Sequence, residues 1–341
     1  VTAGPSATSA GATPAAAQPR PDLEGVRRPP VVVVAGPTAT GKTALGIELA
    51  LAISTAGRPA EVISADSRQV YRGLDLGTAK PTLPERRGIP HHGLDLVEPD
   101  APFSVADFVA HVDAVLDDLA SRGGVALLVG GTGFWIRAVA GGLPLDRLPW
   151  DPGLHASLER ELSEHGLAPL VDRLRSLAPG LAGALDLRNP RRVVRALEIA
   201  TIAGDGERPA PRGYAGRVFR IGLDVGDRAV HRAWIARRAE DQLDGGILAE
   251  AAALRARFDQ SLPAFSAIGY REAWDLLDGR LDRAGYLDVN IRRNVAFARR
   301  QRTWFRREPV DLALDVAEPA AAEQAIMAVS SFLAADNQPE H

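Results

Sequence analysis

The chain has 341 residues, 46% hydrophobic, 24% charged and 5% aromatic, with a formal net charge of −3 at pH 7. That length supports one large domain or two ordinary ones, and the near-neutral balance by itself points to no polyanionic partner. The absence of cysteine excludes disulfides, thiolate metal sites and cysteine nucleophiles. No apolar run approaches the length of about 18 residues needed for a membrane-spanning helix, so a cytoplasmic protein without membrane attachment is expected.

Residues 1–30 are rich in Ala, Pro and Thr and lack the apolar central run of a secretory signal. They read as a disordered tail. Val31-Val32-Val33-Val34-Ala35 is a short β-branched run before a Gly-rich turn, the pattern of a buried parallel strand. Residues 43–56 read as a helix with Leu45, Leu49 and Ile53 at fourfold spacing, and 61–65 as a second strand ending at Asp66. An amphipathic helix over 104–121 and a strand over 125–129 follow, the strand running into Gly130-Gly131-Thr132. Such alternation predicts a parallel sheet with crossover helices. From 148 to 201 the periodicity is helical without strands; 217–225 reads as a strand returning to the sheet, and a weak strand at 310–314 interrupts a mostly helical remainder. The fold class is therefore α/β, a P-loop NTPase-like core over 31–146 and 215–335, with a helical insertion over 147–214. Residues from Asp336 onward read as frayed.

Gly36-Pro37-Thr38-Ala39-Thr40-Gly41-Lys42-Thr43 fits G-x-x-x-x-G-K-[ST], with a strand before it and a helix after it. Glycines in this motif let backbone N–H groups converge on phosphate oxygens, and the helix N-terminus adds its positive dipole end. Lys42 is placed to neutralise the terminal phosphate and the Thr43 hydroxyl to hold Mg²⁺. Only Lys42 and Lys80 among the 40 basic residues are lysine. A coding bias accounts for the arginines; under it, each lysine suggests a site where a compact ammonium is required. An ordinary P-loop NTPase has a second apolar strand ending in an Asp that helps hold Mg²⁺. Here the strand over 125–129 ends without an acid, and the carboxylate follows the second strand as Asp66. Asp66 reads as a general base, a metal ligand or a turn-capping residue.

Two arginine clusters remain. Arg188, Arg191, Arg192 and Arg195 fall on or before one helix; Arg292, Arg293, Arg299, Arg300, Arg302, Arg306 and Arg307 crowd a stretch without an acid. Seven like charges without partners should repel, so beside a plain solvated face a polyanion facing them is expected. His91-His92 does not read as a metal pair, because adjacent side chains in an extended segment point apart.

Taken together, the motifs resemble the tRNA dimethylallyltransferase (tRNA isopentenyltransferase) family. The stretches that carry the resemblance are GPTATGKTALGIELA (36–50), ISADSRQVYRGLDLGTAKPT (63–82), GIPHHGLDLVEP (88–99), FSVADF (103–108), LLVGGTGFWIRAV (127–139), NPRRVVRALEI (189–199), SAIGYREAW (266–274) and ARRQRTWFRR (298–307), in the family's order. The resemblance implies transfer of a dimethylallyl group from dimethylallyl diphosphate to N6 of the adenosine just 3′ of a tRNA anticodon. Asp66 would then be the base, Thr38 and Arg238 would stabilise the leaving diphosphate, and Mg²⁺ would sit on Thr43. Contacts to the tRNA anticodon arm would fall on Asp66, Ser67, Arg68, Gln69, Thr132 and His155, on Arg191, Arg192, Val193, Val194 and Arg195, and on Ser266, Ala267, Ile268, Gly269, Tyr270 and Arg271. No obligate protein partner is implied, and a monomer is assumed. Val295 stands where the family's pattern has Arg, Trp135 where Tyr is usual and Ala313 where Trp is customary; Trp135 is expected to reshape the donor pocket. The rival readings are prenylation of a free adenine nucleotide, a P-loop small-molecule kinase, and a non-catalytic RNA-binding protein.

Overall fold

The structure is a computed structural model that describes residues 28–145, 148–206 and 209–335. The expected tail lies outside the described residues as far as 27, and so does the segment from Asp336 onward. Arg28, Pro29 and Pro30, at the end of that expected tail, are buried; Arg28 pairs with Asp113 and Asp117, and the Pro29 carbonyl accepts the Tyr214 hydroxyl at 2.8 Å. The described residues fall into two compact units, 148–206 and the remainder.

In the larger unit β1 (Val31–Ala35) leads to α1 (Lys42–Thr55), β2 (Ala60–Ser64), a short α2 (Leu83–Arg86), β3 (His91–His92), α3 (Val105–Ser121), β4 (Val125–Gly130) and α4 (Gly133–Ala140). The smaller unit holds α5 (Pro152–His165), α6 (Leu167–Leu177), α7 (Pro179–Gly183) and α8 (Pro190–Ala203). The chain returns as β5 (Val218–Asp224), α9 (Arg228–Asp244), α10 (Ile247–Arg255), α11 (Tyr270–Leu277), α12 (Arg283–Phe305), β6 (Leu312–Asp315) and α13 (Ala321–Ala334).

The six strands form one parallel sheet in the order β3-β2-β4-β1-β5-β6. All five residues of β1 are buried because helices cover both faces of the sheet, which is why its sequence is apolar without alternation. Val31 and Val33 pack with Ile63, Leu128, Phe108 and Trp274 on one side. Val32 and Val34 pack with Leu127, Leu49, Ile53 and Val329 on the other. Ser104 starts α3 through a reciprocal capping box with Asp107, its hydroxyl accepting the Asp107 N–H at 3.2 Å. In the smaller unit Leu158, Leu170, Leu174, Val193, Val194 and Leu197 build a separate apolar core.

The parallel register positions the site. Ala35 at the end of β1 pairs with Gly130 of β4 and Gly222 of β5, while Ser64 of β2 pairs with Val129. The segments following these strands therefore emerge side by side at the sheet's carboxyl edge, where open α/β sheets bind ligands.

Candidate active site

Residues 36–43, Asp66, Gly130 and Gly131 come together at that edge, joined by Arg238 from α9 and Gln301 from α12. Thr38 to Thr43, Asp66, Gly130, Gly131, Arg238 and Gln301 line part of a cleft of about 830 Å³, a volume in the usual range for small-molecule sites. The phosphate loop follows β1 so closely to β5 that a Cβ on Gly36 would run into the Leu223 carbonyl oxygen. At the other end of the loop Gly41 has φ +70°, a left-handed conformation that favours glycine, and it caps α1. Ala39 adopts φ +59° between them. Thr40 Oγ1 donates to the Pro37 carbonyl at 2.9 Å, and Lys42 Nζ donates to the same carbonyl at 2.5 Å.

Lys42 is held well below the usual lysine range, at about 7. Burial is the main cause, the Arg238 charge adds to it, and Asp66 opposes it. An anion in the loop would reverse that balance, since phosphate charge favours the ammonium. Arg238 donates to Thr38 Oγ1 at 3.1 Å and is likewise pushed down by burial, with Asp66 countering. Lys42, Arg238 and Asp66 thus form one interacting group of charges above the end of the sheet.

Asp66 is positioned by its neighbours' backbone. The Thr132 N–H donates to the Ala65 carbonyl at 3.1 Å, and Thr132 Oγ1 accepts the Ser67 N–H at 3.1 Å, so the turn after β4 clasps the segment carrying Asp66. Asp66 Oδ1 accepts the Arg68 N–H at 2.9 Å. That bond accords with the capping reading of this residue and engages one carboxylate oxygen. Thr43, in the first turn of α1, lines the same cleft as Asp66. Among the described residues there is no group of three or more His, Asp or Glu that could hold a metal by itself. A lone hydroxyl suits Mg²⁺, which keeps several waters and takes phosphate oxygens as its other ligands.

The structure separates the remaining expected contact residues. Ser67, Arg68 and Thr132 are half-buried near the cleft. Gln69 is buried and its amide is fully engaged: it accepts from Ser64 Oγ at 2.6 Å and donates to the Thr78 and Ala79 carbonyls at 3.0 and 3.2 Å. Its side chain shapes the cleft wall, both amide N–H groups committed to main-chain carbonyls. Ser266 and Arg271 are exposed and Ile268 is half-buried, whereas Ala267, Gly269 and Tyr270 are buried. Tyr270 donates its hydroxyl to Glu250 at 2.6 Å, and the same carboxylate accepts main-chain N–H groups of residues 75–77. In the smaller unit Arg191 and Arg192 are exposed, whereas Val193 and Val194, expected within the same contacting stretch, turn their side chains into its apolar core. His155 and Arg195 both bind the fully buried Glu198, and Arg195 also lies 5.4 Å from the Trp150 ring centre.

Lys80 lines the same cleft and is a clamp, its buried ammonium donating to the Tyr71 carbonyl at 2.6 Å, to Asp75 at 2.8 Å and to Asp95 at 2.5 Å. Two further expectations need correction. The arginines of α12 are not all without partners. Arg292 pairs with Asp288 at 3.0 Å, Arg293 with Glu272 and Arg302 with Asp224 at 2.7 Å, acids supplied by the preceding turn and by other elements. Arg299, Arg300, Arg306 and Arg307 remain exposed. Trp135 lies in the core, stacked on Phe108 with ring centres 4.2 Å apart, rather than in the cleft wall. Val295 lines a groove with Arg232, Arg292, Arg299 and Arg300, and Ala313 is exposed on β6. His91 and His92 diverge as expected of an extended segment, His91 Nδ1 lying 2.8 Å from the Ile89 carbonyl and His92 Nε2 2.7 Å from Glu61.

Gln301 and His231 are among the residues at this site that sequence reasoning missed. Gln301 bridges the Thr38 N–H and the Gly131 carbonyl, and His231 lies 2.8 Å from the Thr38 carbonyl. Gln301 falls within the ARRQRTWFRR stretch, which could have marked it; nothing local to His231 does so.

Comparison with known proteins adds to this geometry. The family model described as IPP transferase matches residues 69–308. The tRNA dimethylallyltransferase of Roseiflexus sp. (strain RS-1) is 39% identical over 311 residues, covering 89% of this chain and 99% of the relative. That of Anaeromyxobacter sp. (strain K) is 44% identical over 290 residues, covering 82% and 90%. Among solved structures, the full-length tRNA isopentenylpyrophosphate transferase from Bacillus halodurans superposes with a TM-score of 0.64 at 35% identity, covering 90% of this chain and 96% of that one.

Proposed function

The chain belongs to the tRNA dimethylallyltransferase family, and from that premise we propose how its site carries out prenyl transfer to tRNA. The donor is dimethylallyl diphosphate and the acceptor is N6 of the adenosine immediately 3′ of the anticodon. The observation that carries this reading is the meeting of a phosphate loop, in one cleft, with Asp66, the carboxylate that interacts with both Lys42 and Arg238.

The donor's diphosphate lies in the loop of residues 36–43, where converging N–H groups, the α1 dipole and Lys42 take its charge. Thr43 would hold Mg²⁺, which would supply positive charge against the diphosphate. An adenine stacked in an anticodon loop has to leave its neighbours to reach the cleft. Its N6 then forms a bond to the allylic C1 as the C1–O bond to diphosphate breaks. The proton released from N6 passes to the Asp66 oxygen that does not hold Arg68, and the electron pair of the broken bond leaves with diphosphate. Thr38 and Arg238 meet the charge that develops there. Because allylic departure has cationic character, water has to stay out until the acceptor is bound. In the smaller unit Arg191 and Arg192 offer charge for the acceptor's phosphates. The reaction belongs to the cytoplasm, where tRNA is processed.

Mass spectrometry of nucleosides from unmodified tRNA, incubated with the protein, Mg²⁺ and dimethylallyl diphosphate, tests the reading. The expected product is an adenosine heavier by one dimethylallyl group and absent with Asp66→Asn. Modified AMP with unmodified tRNA would move the activity to a free nucleotide, and no product with either acceptor would end the proposal.

A further inference from the structure

Thr38, in the phosphate loop, is held at three points by α9 and α12. Its N–H donates to Gln301 Oε1 at 2.8 Å, its hydroxyl accepts from Arg238 at 3.1 Å, and its carbonyl lies 2.8 Å from His231 Nε2. The third contact depends on a proton whose place the surroundings settle. Arg302 lies against His231 Nδ1 and also donates to Asp224 Oδ1 at 2.7 Å. A guanidinium can only donate, so Nδ1 accepts and the ring carries its single proton on Nε2, aimed at the Thr38 carbonyl. His231 is 2% exposed, and burial, followed by the Arg302 and Arg228 charges, keeps its imidazole below its ordinary range against the opposing pull of the Thr38 carbonyl and Asp224. Asp224 has a second partner in Arg228, at 3.1 Å.

We propose that His231, oriented by Arg302 and Asp224, is a positioning residue that fixes the Thr38 carbonyl and so holds the phosphate loop in the shape that receives a diphosphate. This deepens the functional reading above and rests on its assignment of the loop to a diphosphate. The relay runs from the end of β5 through α12 and α9 to the Thr38 carbonyl, next along the loop from the Pro37 carbonyl that Lys42 holds. His231 touches no reacting atom in this scheme. Its effect is on the spacing between the loop amides, Thr38 Oγ1 and Arg238.

Glutamine and leucine separate this role from simple packing. The Gln side-chain N–H₂ can donate where Nε2–H does and has no tautomer to be set, whereas Leu fills similar volume without a donor. Binding of inorganic pyrophosphate with Mg²⁺, measured by calorimetry, reads the loop without requiring any acceptor. We expect His231→Leu to weaken it on the order of 10-fold, the scale of one buried hydrogen bond, and His231→Gln to stay within about 3-fold of the parent. Affinity for unmodified tRNA should be unchanged in both. Arg302→Met should weaken pyrophosphate binding in the parent and have no effect in the His231→Gln background, since only the imidazole needs its tautomer set; Arg228 keeps Asp224 paired in either case. Parent-like pyrophosphate affinity in His231→Leu overturns the proposal. Equal losses in His231→Gln and His231→Leu do so too, as does an additive effect of Arg302→Met in both backgrounds. Absence of pyrophosphate binding by the unaltered protein removes the diphosphate site itself. Absence of prenyl transfer with pyrophosphate binding intact leaves the relay standing and refutes only the acceptor.

Discussion

Gln301 and Thr38 are 263 positions apart in sequence and joined by a 2.8 Å hydrogen bond from the Thr38 amide to the Gln301 side chain. The same amide group of Gln301 donates to the Gly131 carbonyl at 3.0 Å. One buried side chain on α12 thus ties together the phosphate loop after β1 and the turn after β4, whose Thr132 in turn orients the segment bearing Asp66. Replacing Gln301 by Leu should leave a buried N–H and a part-buried carbonyl without partners. The expected cost is about 1–3 kcal/mol of stability, most of it from the buried N–H. Urea unfolding checks this, and a Gln301→Leu midpoint equal to the parent's would show that the bridge carries no stability.

Asp66 uses one oxygen to cap its own turn, so the choice of substitution matters. Asp66→Asn keeps an acceptor for the Arg68 N–H and removes the base; Asp66→Ala removes both. We expect turnover to fall by about 10²–10⁴ in either variant, the range for a lost general base, with donor and tRNA affinities retained in Asp66→Asn. Single-turnover kinetics with saturating tRNA would decide it. A turnover in Asp66→Asn within a few-fold of the parent would place the proton acceptor elsewhere.

Much of this fold is legible in the sequence, and the reasons are local. Val31 to Ala35 reads as a strand because its β-branched run is buried on both faces, and Ser104 announces α3 by its capping pair with Asp107. The phosphate loop is a contiguous motif, so Lys42 and Thr43 can be placed from the sequence alone. What escapes depends on partners distant in sequence. The pairing of Arg293 with Glu272 and of Arg302 with Asp224 arises from α12 packing beside α11 and β5, so the stretch by itself reads as unpaired charge. Lys80 stands out by its rarity, yet that rarity reflects a buried clamp, since Asp75 and Asp95 reach it only after the 71–95 segment has folded back. His231 carries no local signal, because a histidine's role is set by what faces its two nitrogens.

The Lys80 clamp leads to a stability prediction with little effect on chemistry. Lys80→Met would leave Asp75 and Asp95 without their shared cation and the Tyr71 carbonyl without its donor. Both carboxylates are roughly half exposed, so the loss should fall below the 3–5 kcal/mol of a fully buried pair, at about 2 kcal/mol. The expected outcome is a lowered melting temperature with near-parent turnover at a temperature where the variant is folded. A parent-like melting temperature with abolished turnover would reverse the assignment and make Lys80 functional.

Acid should destabilise the protein through three histidines. Burial is the leading cause that lowers His91, His111 and His231 below 6.5 in the folded chain, while in the unfolded chain they titrate near that value. Each therefore contributes stability that is present above pH 6.5 and lost as pH falls toward its folded value, because the unfolded state takes up protons the folded state refuses. Each such proton steepens the fall by about 1.4 kcal/mol per pH unit. Urea midpoints measured between pH 7.5 and 5.5 should decline, and His231→Gln should decline less steeply. A flat profile over that interval would mean that these imidazoles titrate alike in both states.

The smaller unit divides α8 into an exposed basic start and a buried apolar continuation, and the two parts should respond differently. Arg191 and Arg192 are exposed, with Asn189 accepting the Arg192 N–H to begin the helix at Pro190. If they meet tRNA phosphates, Arg191→Ala with Arg192→Ala should weaken tRNA binding and reduce the slope of log affinity against log salt by about one for each phosphate no longer neutralised. Stability should be unchanged, since neither side chain packs. Val193→Asp would instead bury a charge among Leu170, Leu174 and Leu197 and unfold the unit, abolishing tRNA binding without any change in salt slope to measure. Fluorescence titration of labelled tRNA at several salt concentrations separates these outcomes. A salt slope in the double arginine variant equal to the parent's would show that the acceptor's phosphates are held by other residues.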